Sequence, residues 1–225
     1  MFFPERIKSV KRDDHVLEIG PGGAPHPRAD VLLEKIFENE EMGKAQRGFA
    51  PKLKTNKKTI YYDGKIFPFR DKEFDYVICS HVLEHILDVE GFIKEMFRVA
   101  RRGYLEYPMI YYDYVYNFPE HVTFLKFNYG KLFYLPKYQT ALSEFSEVNK
   151  LFYESLKAEH FGLIDALQQV LFEGFEWSEP FEVEKAKKIS DVCWTNVIMP
   201  LSANARGSVL NKIKNTGKRL LKCLK

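Results

Sequence analysis

The stretch that decides the fold is HVLEIGPGG, residues 15–23, in which an apolar strand runs into a glycine-rich turn. Such a turn lets a bound ligand approach the backbone, because glycine has no Cβ. Gly20 and Gly22 fit the dinucleotide-binding pattern G-x-G-x-x-G, but Pro25 occupies the position of its third glycine. The prolines between Pro21 and Pro27 also oppose the phosphate-facing helix of that pattern, because proline fixes φ and has no N–H to donate. The turn therefore disfavours a pyrophosphate ligand.

An acidic residue near the end of the same strand indicates a different ligand. Glu18 and the two glycines form an E-x-G-x-G turn, which keeps a carboxylate close to whatever the turn binds. A carboxylate attracts a cation and repels an anion at short range. S-adenosylmethionine carries a sulfonium and an ammonium group, so it meets this requirement. Taken alone, the motif also allows a turn that only changes the chain direction.

Further short strands follow, and their ends carry polar side chains. They are predicted over Asp30–Glu34, Thr59–Asp63, Phe74–Cys79 and Gly103–Tyr107, and Ser80 and His81 come directly after the third of them. A helical stripe precedes the last strand and consists of Phe92, Ile93, Met96, Phe97 and Ala100. Strands that alternate with helices or long crossovers form a parallel sheet, which binds ligands at the carboxyl ends of its strands. The predicted fold is therefore α/β.

Three segments in this order resemble the class I S-adenosylmethionine-dependent methyltransferases whose fourth strand leads into an LEH helix. The segments are VLEIGPGG, YYDGKIFPFRDKEFDYVICSHVLEHI and VARRGYLEYP, and they cover about the first half of the chain. The resemblance implies a Rossmann-like, doubly wound, mostly parallel sheet of seven strands, with S-adenosyl-L-methionine as the cofactor. The segment HPRADVLLEK is also similar to methyltransferases among bacterial surface-polysaccharide enzymes.

The resemblance also implies which residues contact the cofactor. Glu18 would orient the glycine loop, Glu34 would accept hydrogen bonds from the ribose hydroxyls, and Asp63 would meet the adenine amino group. Ser80 and His81 would line the far side of the cofactor. The full set of implied cofactor-binding residues is Glu18, Gly20, Pro21, Gly22, Glu34, Asp63, Gly64, Ser80 and His81.

The middle of the chain, residues 109–175, is predicted to be an acceptor-side insertion. Its first part, MIYYDYVYN, is rich in tyrosine, which suits a hydroxyl-rich acceptor and equally suits the covering of a sheet edge. A β-hairpin is predicted over residues 121–135, with its turn at Asn128, Tyr129 and Gly130, and is expected to form a lid over the pocket. The segment Leu151–Phe172 is predicted to be helical, and strands over Phe175–Val183 and Cys193–Met199 would complete the seven-stranded sheet.

His121 is the candidate catalytic residue, because it follows the fifth predicted strand and stands at the start of the hairpin. Histidine is the natural general base near neutral pH, and a hydroxyl acceptor benefits from such a base. Asp113 lies upstream in the same segment. A histidine that caps the hairpin or lies on the surface is the alternative interpretation.

The sequence also allows three other interpretations of the site. His81, Glu84 and His85 match the pattern H-x-x-E-H, in which two histidines one helical turn apart hold a metal in certain peptidases. A variant adds a divalent metal to a methyltransferase through these residues and His121. Because His81 occupies a position that the cofactor needs, the sequence favours no metal. A third possibility is a cofactor-binding module without activity that serves a partner.

Composition predicts one globular domain over residues 1–200. The chain has 225 residues and a formal net charge of +3. Its three cysteines, an odd number, indicate a reducing cytoplasm. Basic residues accumulate between Glu41 and Asp63, and they suit an anionic acceptor or a solvated loop. Few aromatic residues accompany them, which disfavours nucleic acid.

The last segment, residues 201–225, is predicted to contain a basic amphipathic helix that starts near Ser208. Such a helix can pack on the domain, bind a partner or lie on an anionic membrane surface. The sequence therefore allows a cytoplasmic enzyme with peripheral membrane contact through residues 208–225.

Overall fold

The structure is a computed structural model, and it describes residues 1–47, 53–142 and 146–194. Its strands are β1 (Val16–Ile19), β2 (Val31–Lys35), β3 (Lys58–Tyr62), β4 (Phe74–Ser80), β5 (Ala100–Pro108), β6 (Thr123–Asn128), β7 (Lys131–Pro136), β8 (Phe172–Trp177) and β9 (Glu182–Lys185). Its α-helices are α1 (Glu40–Arg47), α2 (Val89–Val99), α3 (Ile110–Tyr116), α4 (Ser146–Lys157) and α5 (Gly162–Leu171).

The central sheet has the strand order β3-β2-β1-β4-β5-β8, and β8 alone runs antiparallel to its neighbour. The chain leaves β1 in one direction through β2 and β3, and then crosses back to β4 on the other side of β1. This reversal is the switch point at which doubly wound sheets bind their ligands. Every residue of β1 is buried, which explains its unbroken apolar pattern apart from Glu18. The Rossmann-like fold predicted from the sequence is therefore confirmed.

The crossovers that surround the switch point differ in length. Residues 20–30, between β1 and β2, form turns without a helix, as the prolines predicted. Helix α1 lies in the connection from β2 to β3. The sequence patterns did not predict a helix in this connection. Helix α2 connects β4 to β5 and buries an apolar stripe, and Asp88 caps it by accepting a hydrogen bond from the Gly91 N–H at 3.0 Å.

The predicted hairpin is present as β6 and β7, an antiparallel pair. Its turn residues Tyr129 and Gly130 both have positive φ, 51° and 77°, as a tight two-residue hairpin turn requires. Leu125 and Leu132 are fully buried in the same core as α2, and β6 and β7 contribute none of the described residues that line the cleft at the carboxyl ends of β1, β2 and β4. Burial of these two leucines therefore fixes the hairpin against the domain.

The late strands differ from the prediction. The predicted strand over Phe175–Val183 is divided between two sheets: β8 ends at Trp177 in the central sheet, and β9 pairs in parallel with β7 in a three-stranded sheet. Pro180 lies in the connection, and proline cannot continue a strand ladder. Residues 193 and 194 are not in a strand, and the rest of the predicted strand Cys193–Met199 lies outside the described residues. The described part of the central sheet therefore has six strands, where seven were predicted.

The predicted helical segment Leu151–Phe172 corresponds to α4 and α5, which the chain between them separates near Gly162 as expected. The predicted basic helix of residues 208–225 lies outside the described residues. Within the described ranges, no helix combines the length and the apolar character needed to cross a bilayer.

Candidate cofactor and acceptor site

A cleft of about 450 Å³ opens at the carboxyl ends of β1, β2 and β4. It brings together most of the residues that the sequence predicted for the site, although they are far apart in the chain. Those that line it are Gly20, Pro21, Gly22, Glu34, Ser80, His81 and His121. Glu18, Asp63 and Gly64 are not among the lining residues.

The glycine turn has the backbone conformation that the sequence implied. Gly20 and Gly22 have φ of 60° and 59°, in the left-handed region that favours glycine. A Cβ on Gly20 would lie 2.5 Å from Cγ2 of Val82, and the Gly20 N–H donates to the Leu33 carbonyl at 2.9 Å. The turn is therefore packed between the end of β2 and the loop after β4, and it leaves no room for a side chain.

Glu18 is buried below this turn and contacts the loop instead of the cleft. Its Oε2 accepts a hydrogen bond from the His26 N–H at 2.7 Å. Burial raises the pKa of Glu18 to about 7, and the hydrogen bond from His26 and the nearby Lys57 only partly oppose this rise. This position fits a residue that holds the glycine loop in shape.

The acids at the ends of β2 and β3 have different surroundings. Glu34 is half-buried and lines the cleft. Asp63 is exposed, and its Oδ1 accepts a hydrogen bond from the Lys65 N–H at 3.0 Å. The residues that line the cleft beside Glu34 are instead Lys35 and Tyr62, which the sequence patterns did not single out.

Ser80 and His81 belong to a hydrogen-bond network around Glu106, which sequence reasoning missed. Glu106 is fully buried and accepts from Ser80 Oγ at 2.9 Å, from His81 Nε2 at 3.0 Å and from the Tyr104 hydroxyl at 2.6 Å. Its carboxylate also accepts from the backbone N–H groups of Phe2–Phe3. Burial would raise the pKa of Glu106, but the hydrogen bonds from His81, Tyr104 and Phe2 outweigh it and lower the pKa to about 2.

His81 is turned toward this network by an unusual backbone conformation, with φ of 57°. Its Nδ1 lies 3.4 Å from Oε1 of Glu84. Burial would lower the pKa of His81, but its hydrogen bonds to Glu106 and Glu84 outweigh burial and raise it. The residues Leu83–His85 form a short 3-10 helix that starts after His81, so His81 and His85 do not share one α-helix as the peptidase pattern requires.

A different group of potential metal ligands lies in the same region. Glu84, His85 and His121 each offer one ligand atom, and these atoms lie within 4.8 Å of one another. His81 is not part of this group. The four-residue metal variant considered from the sequence is therefore reduced to three of its members.

His121 also lines the cleft and is held by an acid. Its ring is buried, its Nδ1 lies 2.8 Å from Oδ2 of Asp113, and it stacks on Phe118 at a centroid distance of 5.0 Å. Asp113 is itself fixed, because its Oδ1 accepts from the Phe118 N–H at 3.2 Å and lies 3.6 Å from Nζ of Lys137. A carboxylate can only accept, so Nδ1 of His121 carries a proton, and in the neutral form of the ring Nε2 keeps its lone pair.

Aromatic side chains also line the cleft: Tyr112 and Phe118 contact His121, and Phe2 and Phe172 contact His81. Tyr112 comes from the tyrosine-rich segment that the sequence assigned to the acceptor side. Phe2 stacks on Phe172 at 4.0 Å, which brings the start of the described chain against the end of α5. No pattern in the sequence linked these two residues, since the contact joins distant parts of the chain.

The residues that line the cleft suit S-adenosylmethionine in their chemistry. The left-handed glycine turn offers a backbone surface without a Cβ. Glu34, near the end of β2, adds a carboxylate to the lining of the cleft. The switch-point position of the cleft is the place where doubly wound folds bind nucleotide cofactors. Fold and site together define a Rossmann-like domain that binds an adenosine-containing cofactor.

Comparison with known proteins makes this class specific. Residues 34–105 match the family described as "Methyltransferase domain". This segment is therefore similar to methyltransferase domains, and S-adenosyl-L-methionine is the cofactor that the similarity implies.

One curated relative is ajmaline N-methyltransferase of Rauvolfia serpentina. The two sequences are 30% identical over 106 residues, which cover 45% of this chain and 36% of the relative. The chain thus matches little more than a third of the length of that relative.

Solved structures with a similar fold include two S-adenosylmethionine-dependent methyltransferases. One, a possible histamine N-methyltransferase from Thermotoga maritima, has a TM-score of 0.33 and 19% identity, over 47% of this chain and 49% of that chain. The other, from Mesorhizobium loti, has a TM-score of 0.37 and 12% identity, over 72% of this chain and 89% of that chain.

Proposed function

We propose that this chain transfers a methyl group from S-adenosylmethionine to an oxygen atom of a hydroxyl-rich or anionic small molecule or glycan. The observation that carries the proposal is that the same cleft is lined by the glycine turn and by a histidine that pairs with an aspartate. The first feature suits the methyl donor, and the second suits an acceptor that must lose a proton.

The cofactor-binding roles follow from the positions in the cleft. Gly20, Pro21 and Gly22 would contact the methionine part, with Glu18 holding their loop through His26. Glu34 would bind the ribose hydroxyls. Ser80 and His81 would line the far side, fixed there by Glu106, while Asp63 and Gly64 would stand at the adenine end, outside the lining of the cleft.

The chemistry asks for alignment and for removal of one proton. The acceptor oxygen attacks the methyl carbon, the carbon–sulfur bond breaks, and S-adenosylhomocysteine leaves as a neutral thioether. Alignment in a closed cleft can supply about 7–11 kcal/mol of the barrier reduction in favourable cases. The hydroxyl proton passes to Nε2 of His121, whose Nδ1–H donates to Asp113 and which is therefore the general base.

The histidine–aspartate pair is the reason to prefer oxygen over nitrogen. An amine has a lone pair when unprotonated and needs no base in the transition state, whereas a hydroxyl is a poor nucleophile until its proton is taken. A buried histidine whose tautomer is fixed by a carboxylate meets the demand of the hydroxyl. The curated relative from Rauvolfia serpentina is an N-methyltransferase by name, so a nitrogen acceptor is the outcome that would correct this proposal.

The acceptor is further proposed to be anionic or lipid-linked, as in surface-polysaccharide biosynthesis. Lys35 lines the cleft, and Lys44 directly precedes the lining residues Ala45 and Gln46 on α1, which also carries Glu40 and Glu41. Positive charge at a cleft raises the local concentration of an anionic substrate. The enzyme would be cytoplasmic, with residues 208–225 at the membrane, and cosedimentation with anionic liposomes, compared with a chain ending at Leu201, tests that contact.

Transfer of labelled methyl tests the proposed function. The full chain is incubated with methyl-labelled S-adenosylmethionine and fractionated extract of the cells that produce it, and labelled products are treated with base and acid to tell ethers and esters from methylamines. We expect a labelled ether or ester. Label in a methylamine would overturn the oxygen assignment, and cofactor binding without transfer to any fraction would favour an inactive module.

A further inference from the structure

Glu84 is a buried acid that the proposed reaction has not yet used. Its side chain is 1% exposed and lines the cleft, and its Oε1 lies 3.4 Å from His81. Its Oε2 is buried and has no hydrogen-bond partner among the described residues. A buried carboxylate oxygen without a donor is costly, so a group that enters the cleft is expected to satisfy it.

His81 faces Oε1 of Glu84, and none of the described residues supplies a donor to Oε2. Nδ1 of His85 lies 2.9 Å from the Glu120 carbonyl, and Nδ1 of His121 lies 2.8 Å from Asp113. Both partners can only accept, so each Nδ1 donates, and in the neutral form of each ring Nε2 keeps a lone pair. The ligand atoms of Glu84, His85 and His121 lie within 4.8 Å of one another. A ligand that fits here must therefore bring at least two donors.

We infer that Glu84 anchors the acceptor through a second hydroxyl, next to the one that is methylated, so that the acceptor class is a ring with a vicinal diol. This inference rests on the proposed oxygen-directed function. The reacting hydroxyl gives its only proton to His121, so the donor for Oε2 of Glu84 must come from a neighbouring group. Two hydroxyls on adjacent carbons present two donors within the reach of one compact cluster.

The walls of the cleft suit a ring. Phe118 stacks on His121, and Phe2 stacks on Phe172 on the lining of the same cleft. Aromatic faces offer apolar surface to the C–H face of a sugar or cyclitol ring, while its hydroxyl edge meets the acceptors. Glu84 would thus select where on the ring the methyl group goes.

Periodate treatment tests the diol without knowledge of the acceptor, because periodate cleaves the bond between two hydroxyl-bearing carbons. Cell extract is oxidised, quenched, reduced with borohydride and then offered to the full chain with methyl-labelled S-adenosylmethionine. Mock treatment with quenched periodate is the control. We expect oxidation to abolish labelling. Labelling that resists periodate would overturn the inference, whereas absence of labelling in the mock sample would overturn the proposed function and the inference with it.

Variants of the enzyme test whether Glu84 is the anchor. Glu84→Gln keeps the shape but loses the charge, and we expect it to raise the acceptor KM about tenfold, since a hydrogen bond to a charged group is the stronger kind. Glu90→Gln is the matched control, since Glu90 is exposed on α2 and outside the cleft lining. Equal KM values for the two variants would overturn the inference.

Two further measurements complete the test. S-adenosylhomocysteine affinity shows whether each variant is folded, and Glu84→Asp, which withdraws the carboxylate by one methylene, replaces Glu84→Gln if the latter fails to bind the cofactor. Titration with Zn²⁺ and Mn²⁺ addresses the other ligand that three acceptors could hold. Stoichiometric metal binding that Glu84→Gln abolishes would assign the open oxygen to a cation and overturn the diol.

Discussion

At the scale of single residues, the pairing of His121 with Asp113 is the feature with the largest expected effect on turnover. Asp113→Asn keeps the size of the side chain but lets the amide donate to Nδ1, which moves the ring proton to Nε2 and removes the base. We expect the methyl-transfer rate to fall by about 10²- to 10⁴-fold. Affinity for S-adenosylhomocysteine, measured by calorimetry, should not change. An unaltered rate would exclude His121 as the base.

The raised pKa of Glu18 predicts a dependence of stability on pH. Its pKa is about 7 in the folded protein against an ordinary value of 4.5, because burial disfavours the charged form. The protonated carboxyl therefore favours folding below pH 4.5, and this contribution is lost as the pH rises from 4.5 through 7. Urea unfolding at pH 5, 6 and 7 should give a free energy of unfolding that falls more steeply in the wild type than in Glu18→Gln. Parallel slopes would contradict the assignment.

At the scale of elements, the glycine turn after β1 is expected to control cofactor affinity. In Gly20→Ala a Cβ would lie 2.5 Å from Val82, and a left-handed alanine costs about 1–2 kcal/mol. We expect this variant to lose both stability and affinity for S-adenosylhomocysteine. Gly130→Ala is the matched control: its φ is also positive, but nothing lies within 4 Å of the added Cβ, so it should lose stability alone. Equal affinities of the two variants for S-adenosylhomocysteine would show that the turn does not contact the cofactor.

The elements also show which parts of the fold the sequence could predict. β1, β2, β4 and β5 were found because they are buried on both faces and therefore read as continuous apolar runs. The hairpin could be predicted because Asn128 and Gly130 are residue types that favour a tight turn between two strands. β9 was merged with β8 because strand residues stand on both sides of Pro180, and only the pairing with β7 separates them. Such long-range pairing has no local signal.

Some residues of the candidate site could likewise be predicted from the sequence, and others could not. Gly20, Pro21 and Gly22 follow a motif that is contiguous in the chain, and the structure places them in the cleft. Glu106 was missed because an acid inside a buried strand appears as an interruption of the core, and its donors come from Phe2–Phe3, Ser80 and His81, which are distant in sequence. The role of Glu84 likewise depends on which donors are absent around it, which only the folded geometry reveals.

At the scale of the whole molecule, binding of the cofactor should stabilise the folded protein. A ligand that binds only the folded state stabilises it, by about 2.7 kcal/mol at a concentration of one hundred times Kd. S-adenosylhomocysteine should therefore raise the melting temperature by several degrees, about 2–4 °C for each kcal/mol in a protein of this size. Adenosine, which lacks the methionine part, should raise it less, because it leaves the glycine turn unfilled. Equal shifts would contradict the placement of that part.

The most direct test of the central claim is a calorimetric titration of the full chain with S-adenosylhomocysteine, repeated with S-adenosylmethionine. Because the glycine turn, Glu34 and the Ser80–His81 loop line one cleft, we predict a single site that binds both forms and that Gly20→Ala weakens. A wild-type chain that binds neither form would contradict the account.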